Sequence, residues 1–536
     1  MRGGVHAFAF VACAAVATTC DVGATGRSSR IAEPATAFVD DSFAEVGTTP
    51  DPPRCGDGRL DPTEQCDDGN TIARDGCSMA CQSELITHRS PAGVTESCQL
   101  LVPFPFTPPD LAVGGAPDGW SWYRHKDIEA VEALCAVDLY ESPADATKAV
   151  GVCPKIHKTF PGLEIYDLDD TGLSKANFER DRCGLYREQR GATKVAKLKA
   201  SVFGRESESG LVYFHFARLL GNGAIVYPST YRTIAIEELG RWSDDALAAR
   251  IMSRRNPRPA WSRLRHLIGF TGEPLSARLQ RMSTHVVVHG SPLLAFASLA
   301  ENPRGEIAHD AFNFLMEERI AMPFEFRQTR YFQLVMSRKS VAAHLGLDSA
   351  RPDEYREHLQ TLSYARDFTH VLMLDHLFHQ RDRSGNIHQQ TYFHYTNEHG
   401  HMRWKKKQPD SASGQTIPLA RVILKDNDEA LNWDQRPPFE HLTMIDDFRH
   451  IDPIAYHRVQ WLAGLMLEPA ADATLRHYFV DSVHIADVTY TALRQRLLSL
   501  ADVLRTRFDR GELRLDLDPA AALRGELRDK KTARLR

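Results

Sequence analysis

Apolar residues recur at helical spacing from Asp127 to Leu139, where Ile128, Val131, Leu134 and Cys135 share one face. Lys194 to Val202 alternates instead, which predicts a strand. The run Gly210 to Leu220 (GLVYFHFARLL) is apolar almost throughout; it predicts a buried helix that stops at Gly221-Asn222-Gly223. His285 to His289 and Leu293 to Leu299 read as buried strands flanking a Gly-Ser-Pro turn. Ser363 to Phe378 is helical in pattern, two polar-rich hairpin strands follow, and Leu419 to Leu424 (LARVIL) reads as a buried strand. The last 80 or so residues are mainly helical, and no internal repeat or heptad array occurs. Strands and helices mixed in this way predict an α+β domain, and 536 residues with 43% hydrophobic content are ample for its core.

The first 85 residues are patterned differently. Arg2 and the short apolar stretch Ala7 to Ala17 form an export signal over residues 1–20. Cys20 follows Ala17-Thr18-Thr19, which resembles a bacterial lipobox apart from its two threonines; a lipid tether on Cys20 and simple cleavage both stay open. Residues 21–53 are rich in Ala, Thr, Ser, Asp and Pro, too poor in large apolar residues to fold alone, and predict a disordered linker. Residues 54–85 hold Cys55-Gly-Asp-Gly, Cys66-Asp-Asp-Gly-Asn, Asp75-Gly76-Cys77 and Cys81. This stretch closely resembles the cysteine-rich repeat of myxobacterial surface proteins, in which disulfides replace a hydrophobic core. Asp57, Asp67, Asp68, Asn70 and Asp75 can offer oxygens to calcium or serve as turn residues. Beyond the signal region the chain has eight cysteines: those four with Cys98, Cys135, Cys153 and Cys183. An even number crowded into an exported chain predicts disulfides in an oxidising periplasm, outer membrane or cell surface, with connectivity undetermined. The net charge of −5 gives no support to nucleic-acid binding.

The chemistry-bearing residues stand in a fixed order. Lys194, Lys197 and Lys199 share a strand; a helix with Glu206 and Glu208 follows; Val226-Tyr227-Pro228 comes next. Then Met373 to His388 (MLDHLFHQRDRSGNIH) brings Asp382-Arg383 and Asn386, and Val422 to Leu431 (VILKDNDEAL) brings Asp426-Asn427. This order, over roughly residues 160–450, resembles the catalytic core of atypical kinases of the HipA-like, phosphatidylinositol-kinase-like and Golgi secretory-pathway types. The resemblance implies a two-lobed domain over about 120–515. Its small β-rich lobe would span about 160–300, and its larger, mainly helical lobe about 301–515.

It also implies an enzyme that moves a nucleotide γ-phosphate to a hydroxyl of a protein, glycan or small molecule, with ATP and Mg2+ or Mn2+ as cofactors. Phosphoryl transfer needs an in-line acceptor, a carboxylate near its hydroxyl, and cations against the triphosphate. By the resemblance Asp382, with Arg383 beside it, serves the acceptor, and Asp426 and Asn386 hold the metal. Lys199, or Lys197 on the same face, meets the phosphates, and Glu208 partners the lysine. Three departures stand beside this reading. Asn386 follows Asp382 by four residues instead of five, and Gly210 sits where the glutamate is expected. Asp170 to Ser174 is the nearest approach to a glycine-rich loop. They keep open a catalytically inactive, pseudokinase-type ligand-binding module, and the cysteine-rich stretch keeps open a surface structural or adhesion protein. Seven histidines between His370 and His401 suggest zinc or copper as a separate option, with His376 and His379 three apart on the helix. Trp404-Lys405-Lys406-Lys407 reads either as a contact for an acidic partner or anionic lipid or as a solvated hairpin end.

Overall fold

The computed structural model describes residues 85–108, 123, 125–140, 150–155, 161–185, 189–200, 206–221, 224–248, 261–262, 264–265, 294–301, 306–307, 328–347, 349–380, 387–396, 402–406, 408, 416–424, 430–431, 445–524 and 527. Residues 1–84, which carry the expected export signal and linker and all but the last residue of the cysteine-rich stretch, lie outside them.

The chain opens with β1 (Leu85–Arg89) and β2 (Thr95–Gln99), followed by α1 (His125–Cys135), β3 (Val150–Pro154) and β4 (Gly162–Asp167). Next come α2 (Lys175–Arg182), β5 (Thr193–Ala200), α3 (Glu206–Leu219), β6 (Ile225–Val226), β7 (Ser229–Ala235), α4 (Ile236–Ala248) and β8 (Leu294–Glu301). Seven of these strands form one antiparallel sheet in the order β1-β2-β7-β8-β5-β4-β3. It begins at Leu85, well before the expected start near residue 120, because β1 and β2 are short and polar yet join the sheet, β2 on β7 and β1 on β2. One face of the sheet (Val152, Leu163, Ile165, Ala196, Leu198) is sealed by Leu239 and Trp242 of α4, with Tyr140 stacked on Trp242. Gly162 is required where β4 starts, since a Cβ there would lie 2.7 Å from the Leu198 carbonyl oxygen.

α3 packs on β5, β7 and β8 and belongs to the main core of the helical part, not to the cluster under α4. Every residue from Leu211 to Leu220 is buried, as expected for a helix apolar all round.

The rest of the chain builds a smaller sheet and a helical layer. β9 (Glu306–Ile307) precedes α5 (Arg330–Val335), α6 (Val341–Leu345) and the long α7 (Pro352–Phe378). α7 has proline at its first turn, and the Glu354 carboxylate accepts from the Arg351 N–H at 3.2 Å and from its guanidinium. β10 (Ile387–Thr396), β11 (Met402–Lys405) and β12 (Ile417–Leu424) follow, and the sheet order is β11-β10-β12-β6, with β9 also on β10. The long interval before Asp426 thus folds out as a hairpin. α8 (Pro453–Leu467) and α9 (Pro469–Arg476) run into a π-helical turn, His477–Ser482; α10 (Asp487–Asp509) and α11 (Pro519–Leu523) close the fold. No helix among the described residues is long and apolar enough to cross a membrane.

Two disulfides form: Cys98–Cys135 ties β2 to α1, and Cys153–Cys183 ties β3 to the end of α2. They enclose separations of 37 and 30 residues, and closing loops of that size constrains the unfolded chain by about 3–4 kcal/mol each. Reduction with a strong phosphine, followed by thiol capping, is therefore expected to lower the urea midpoint markedly; an unchanged midpoint in the fully reduced protein would show that neither bridge contributes.

Candidate functional site

The last turn of α7 sets the site. His379 caps the helix in a left-handed conformation (φ 53°), and the Gln380 N–H returns to the Asp375 carbonyl at 3.0 Å. Asp382, Arg383 and Asn386 come next, in a segment outside the described residues. The chain re-enters at Ile387, whose register partner is Leu424, the last residue of β12. Asp426, two positions beyond Leu424, also lies outside the described residues, and the chain resumes at Ala430 and Leu431. Leu431 is left-handed as well (φ 66°), and its N–H donates to the Phe378 carbonyl at 2.7 Å.

The ends of both carboxylate-bearing segments therefore meet in pairs: Ile387 beside Leu424, and Leu431 beside Phe378. Among the described residues only three non-glycine positions have positive φ, and two of them flank these segments. A left-handed histidine or leucine costs roughly 1–2 kcal/mol and persists where the surroundings impose it.

β12 is held in place by polar groups of α7. The Gln360 side chain pairs with both backbone groups of Ala420, at 2.8 and 3.0 Å. Asp367, fully buried, accepts Arg421 Nε at 2.9 and 3.1 Å and the Val422 N–H at 2.9 Å. Parallel pairing of Ile423 and Leu424 with Ile225 and Val226 ties β12 to the strand that follows α3.

The lysine strand carries a feature that alternation alone does not show. Between Ile165/Ala196 and Tyr166/Lys194 the register shifts, so Val195 is a bulge. Simple alternation would put Lys194 on the opposite face from Lys197 and Lys199; the bulge puts all three on one face. Lys197 is buried and stands across from Glu164, and Lys199 stands across from Gly162. Lys194 Nζ lies 3.1 Å from Glu164, and Arg190 lies 2.9 Å from its other oxygen. Burial pushes the Glu164 carboxyl up, but Lys194 and Arg190 outweigh it and hold it at about 2. Glu208 lies in the first turn of α3, buried, and its Oε2 accepts from the Thr489 hydroxyl of α10 at 3.0 Å.

Other candidates take different places. Asp170 to Ser174 forms the turn from β4 into α2, with Ser174 capping the helix by accepting the Asn177 N–H. His376 lies in α7 while His379 is its left-handed cap, so the two do not share a helical face. His394 is buried, and burial with the nearby charges of Arg421 and Arg366 lowers its pKa to about 3. No group of three or more His, Cys, Asp or Glu among the described residues is arranged to hold a metal ion. Lys406 reaches the Tyr227 hydroxyl at 3.4 Å, which docks the end of the basic hairpin on the connection after β6.

Sequence reasoning missed the contacts that join α3 to its surroundings. Tyr213 donates to Asp375 at 2.7 Å. Arg218 forms a two-pronged pair with Asp127 of α1 and also donates to the Val226 carbonyl. His215 bonds Tyr123, which bonds Tyr478 in the π-helical turn. The only signal in the sequence was the presence of three polar side chains, Tyr213, His215 and Arg218, in the otherwise apolar run Gly210 to Leu220.

Comparison with known proteins adds little to this picture. A family model described as a domain of unknown function (DUF4215) matches residues 52–82, the cysteine-rich stretch. No curated protein matches the chain. Among solved structures, the Golgi casein kinase with Mn/ADP bound matches at 12% identity and a TM-score of 0.34, over 68% of this chain and 75% of that one. A second structure of the Golgi casein kinase matches at 12% identity and 0.33, with the same coverage.

Proposed function

We propose that the chain is an exported, kinase-like phosphotransferase that moves the γ-phosphate of a nucleotide to a hydroxyl acceptor with the help of a divalent metal. The observation that carries this reading is the convergence of the two carboxylate-bearing segments. Their ends pair at Ile387–Leu424 and at Leu431–Phe378, with the left-handed residues His379 and Leu431 at the second of these ends. The ordered motifs supply the chemistry: Asp382 for the acceptor hydroxyl with Arg383 beside it, Asp426 and Asn386 for Mg2+ or Mn2+, and Lys199 or Lys197 for the phosphates. Lys194, Lys197 and Lys199 share one face of the sheet, the arrangement that phosphate contacts from this strand require. Export agrees with the two disulfides, which belong to an oxidising compartment. Whether the protein is released or tethered through Cys20 is a separate question, settled by the mass of the mature N-terminus.

A pseudokinase-type binding module is the second reading. It is favoured by the bond between Glu208 and Thr489, which engages one oxygen of the proposed lysine partner, and by the four-residue step from Asp382 to Asn386. A thermal-shift series with ATP or ADP, each with and without Mg2+ or Mn2+, separates the readings. A ligand bound only by the folded state at a hundred times its Kd stabilises by about 2.7 kcal/mol, so the melting temperature is expected to rise only when nucleotide and metal are both present. A rise without label transfer from γ-labelled ATP to any acceptor, the protein itself included, would leave the binding module. No rise at all would remove both readings in favour of a surface structural protein.

A further inference from the structure

We infer that Tyr213 is a positioning residue for both carboxylate segments, acting through Asp375 and Phe378 at the end of α7; its catalytic consequence rests on the phosphotransferase reading. Tyr213 lies in the buried core of α3, one residue before Phe214 and three before Phe216. A phenylalanine would fill that volume, so packing alone does not explain a hydroxyl. The hydroxyl is buried and donates to Asp375 Oδ1 at 2.7 Å, and Asp375 is itself fully buried. A buried carboxylate is costly unless bonded, so this contact fixes the Asp375 side chain and with it the last turn of the helix.

The same turn is gripped by rings. Tyr213 and Phe216 lie 4.6 and 5.4 Å, centroid to centroid, from the ring of Phe378. The backbone of this turn then serves both segments. Gln380, which precedes Asp382 by two positions, returns its N–H to the Asp375 carbonyl, and the Phe378 carbonyl receives Leu431, five positions after Asp426. One hydroxyl on α3 thus sets a four-residue stretch of α7 from which one carboxylate segment leaves and onto which the other closes. Glu208 lies in the first turn of the same helix, so the contact also ties the glutamate-bearing helix to the end of α7.

The test is Tyr213→Phe in the full-length mature protein, which removes one oxygen and keeps the ring. Hydrogen exchange, read on peptides covering 379–388 and 425–431, is expected to quicken at least fivefold in those two segments and not in α8 or α10. In the phosphoryl-transfer assay kcat is expected to fall tenfold or more, with the KM for nucleotide within twofold. Asp375→Asn, whose amide oxygen still accepts from the hydroxyl, should retain more of kcat than Asp375→Ala. A role limited to stability would lower the melting temperature and leave exchange unchanged below the transition. Unchanged exchange in both segments overturns the inference whatever the activity, and so does unchanged kcat in a preparation whose parent transfers phosphate. If the parent binds no nucleotide, the phosphotransferase reading fails by itself, and exchange alone still decides whether Tyr213 positions the segments. Should Tyr213→Phe not fold, Asp375→Ala, which removes the acceptor of the hydroxyl, takes its place in the same exchange experiment.

Discussion

Asp426→Ala is expected to abolish metal-dependent nucleotide binding, and Asp382→Asn to leave binding intact while phosphoryl transfer collapses. The two carboxylates are proposed for different tasks. A residue that holds the metal acts on the triphosphate in the ground state; without it the repulsion between metal-free phosphates and the remaining Asp382 is uncompensated. A loss of two orders of magnitude in affinity, about 2.7 kcal/mol, is the smallest effect consistent with that task. A residue that orients or deprotonates the acceptor contributes in the transition state, where such groups supply roughly 10²–10⁴ in rate. The amide of Asn386 cannot take over from Asp382, because it accepts no proton near neutral pH. Isothermal titration with ATP and Mn2+, set beside initial rates, separates the two. Binding by Asp426→Ala equal to that of the parent would sink the assignment of the metal ligand. Full turnover by Asp382→Asn would sink that of the acceptor residue. Lys199→Ala and Lys197→Ala, run alongside, decide which lysine meets the phosphates: the one that does should raise the KM for nucleotide at least tenfold.

The parts of this protein that were legible in its sequence are those where a single side-chain period persists. LVYFHFARLL is apolar on every side and became α3, and LARVIL became the end of β12, held between α7 and β6. The first turns of α7 were not legible: Pro352 to Thr361 (PDEYREHLQT) reads as polar, because Gln360 bonds to Ala420 of β12 and Glu357 pairs with Arg330 instead of packing among apolar chains. β1 and β2 escaped for the opposite reason, being short strands at one end of the sheet with no apolar run, placed by the pairing of β2 with β7 and by the Cys98–Cys135 bridge. Spacing could not reveal which cysteines pair, nor the bulge at Val195, which depends on the register of β4. In the site, residue order alone nominated Asp382 and Asp426. Their support, by contrast, is non-local. Tyr213 and Asp375 are 162 positions apart, Asp367 and Arg421 are 54 apart, and no periodicity connects them. The left-handed caps at His379 and Leu431 were equally hidden, since neither position carries the glycine or asparagine that usually marks such a turn.

The largest stability effect of a single substitution is expected at Asp367. This carboxylate is fully buried in α7 and has three acceptor contacts, two from Arg421 Nε and one from the Val422 N–H. Arg421 is buried as well; burial lowers its pKa, and Asp367 is the chief group opposing that shift. Asp367→Ala would take the carboxylate away from Arg421 Nε and from the Val422 N–H at once, both of them buried. Removing one partner of a buried pair in this way costs about 3–5 kcal/mol, mostly as the penalty on the charge left behind and not as the worth of the pair. The form of the cycle follows from that asymmetry. Arg421→Met should cost less than Asp367→Ala, because the remaining carboxylate keeps the Val422 N–H. The double variant Asp367→Leu with Arg421→Met should recover most of the loss, leaving chiefly the unpaired Val422 amide at about 1–3 kcal/mol. Urea unfolding of the four proteins, read as a double-mutant cycle, checks this directly. Strict additivity would mean that the pair is not coupled across α7 and β12. The functional corollary concerns β12, which leads into Asp426: a double variant that regains stability but binds metal–nucleotide more weakly than the parent would show that the pair sets the position of the strand as well as its stability.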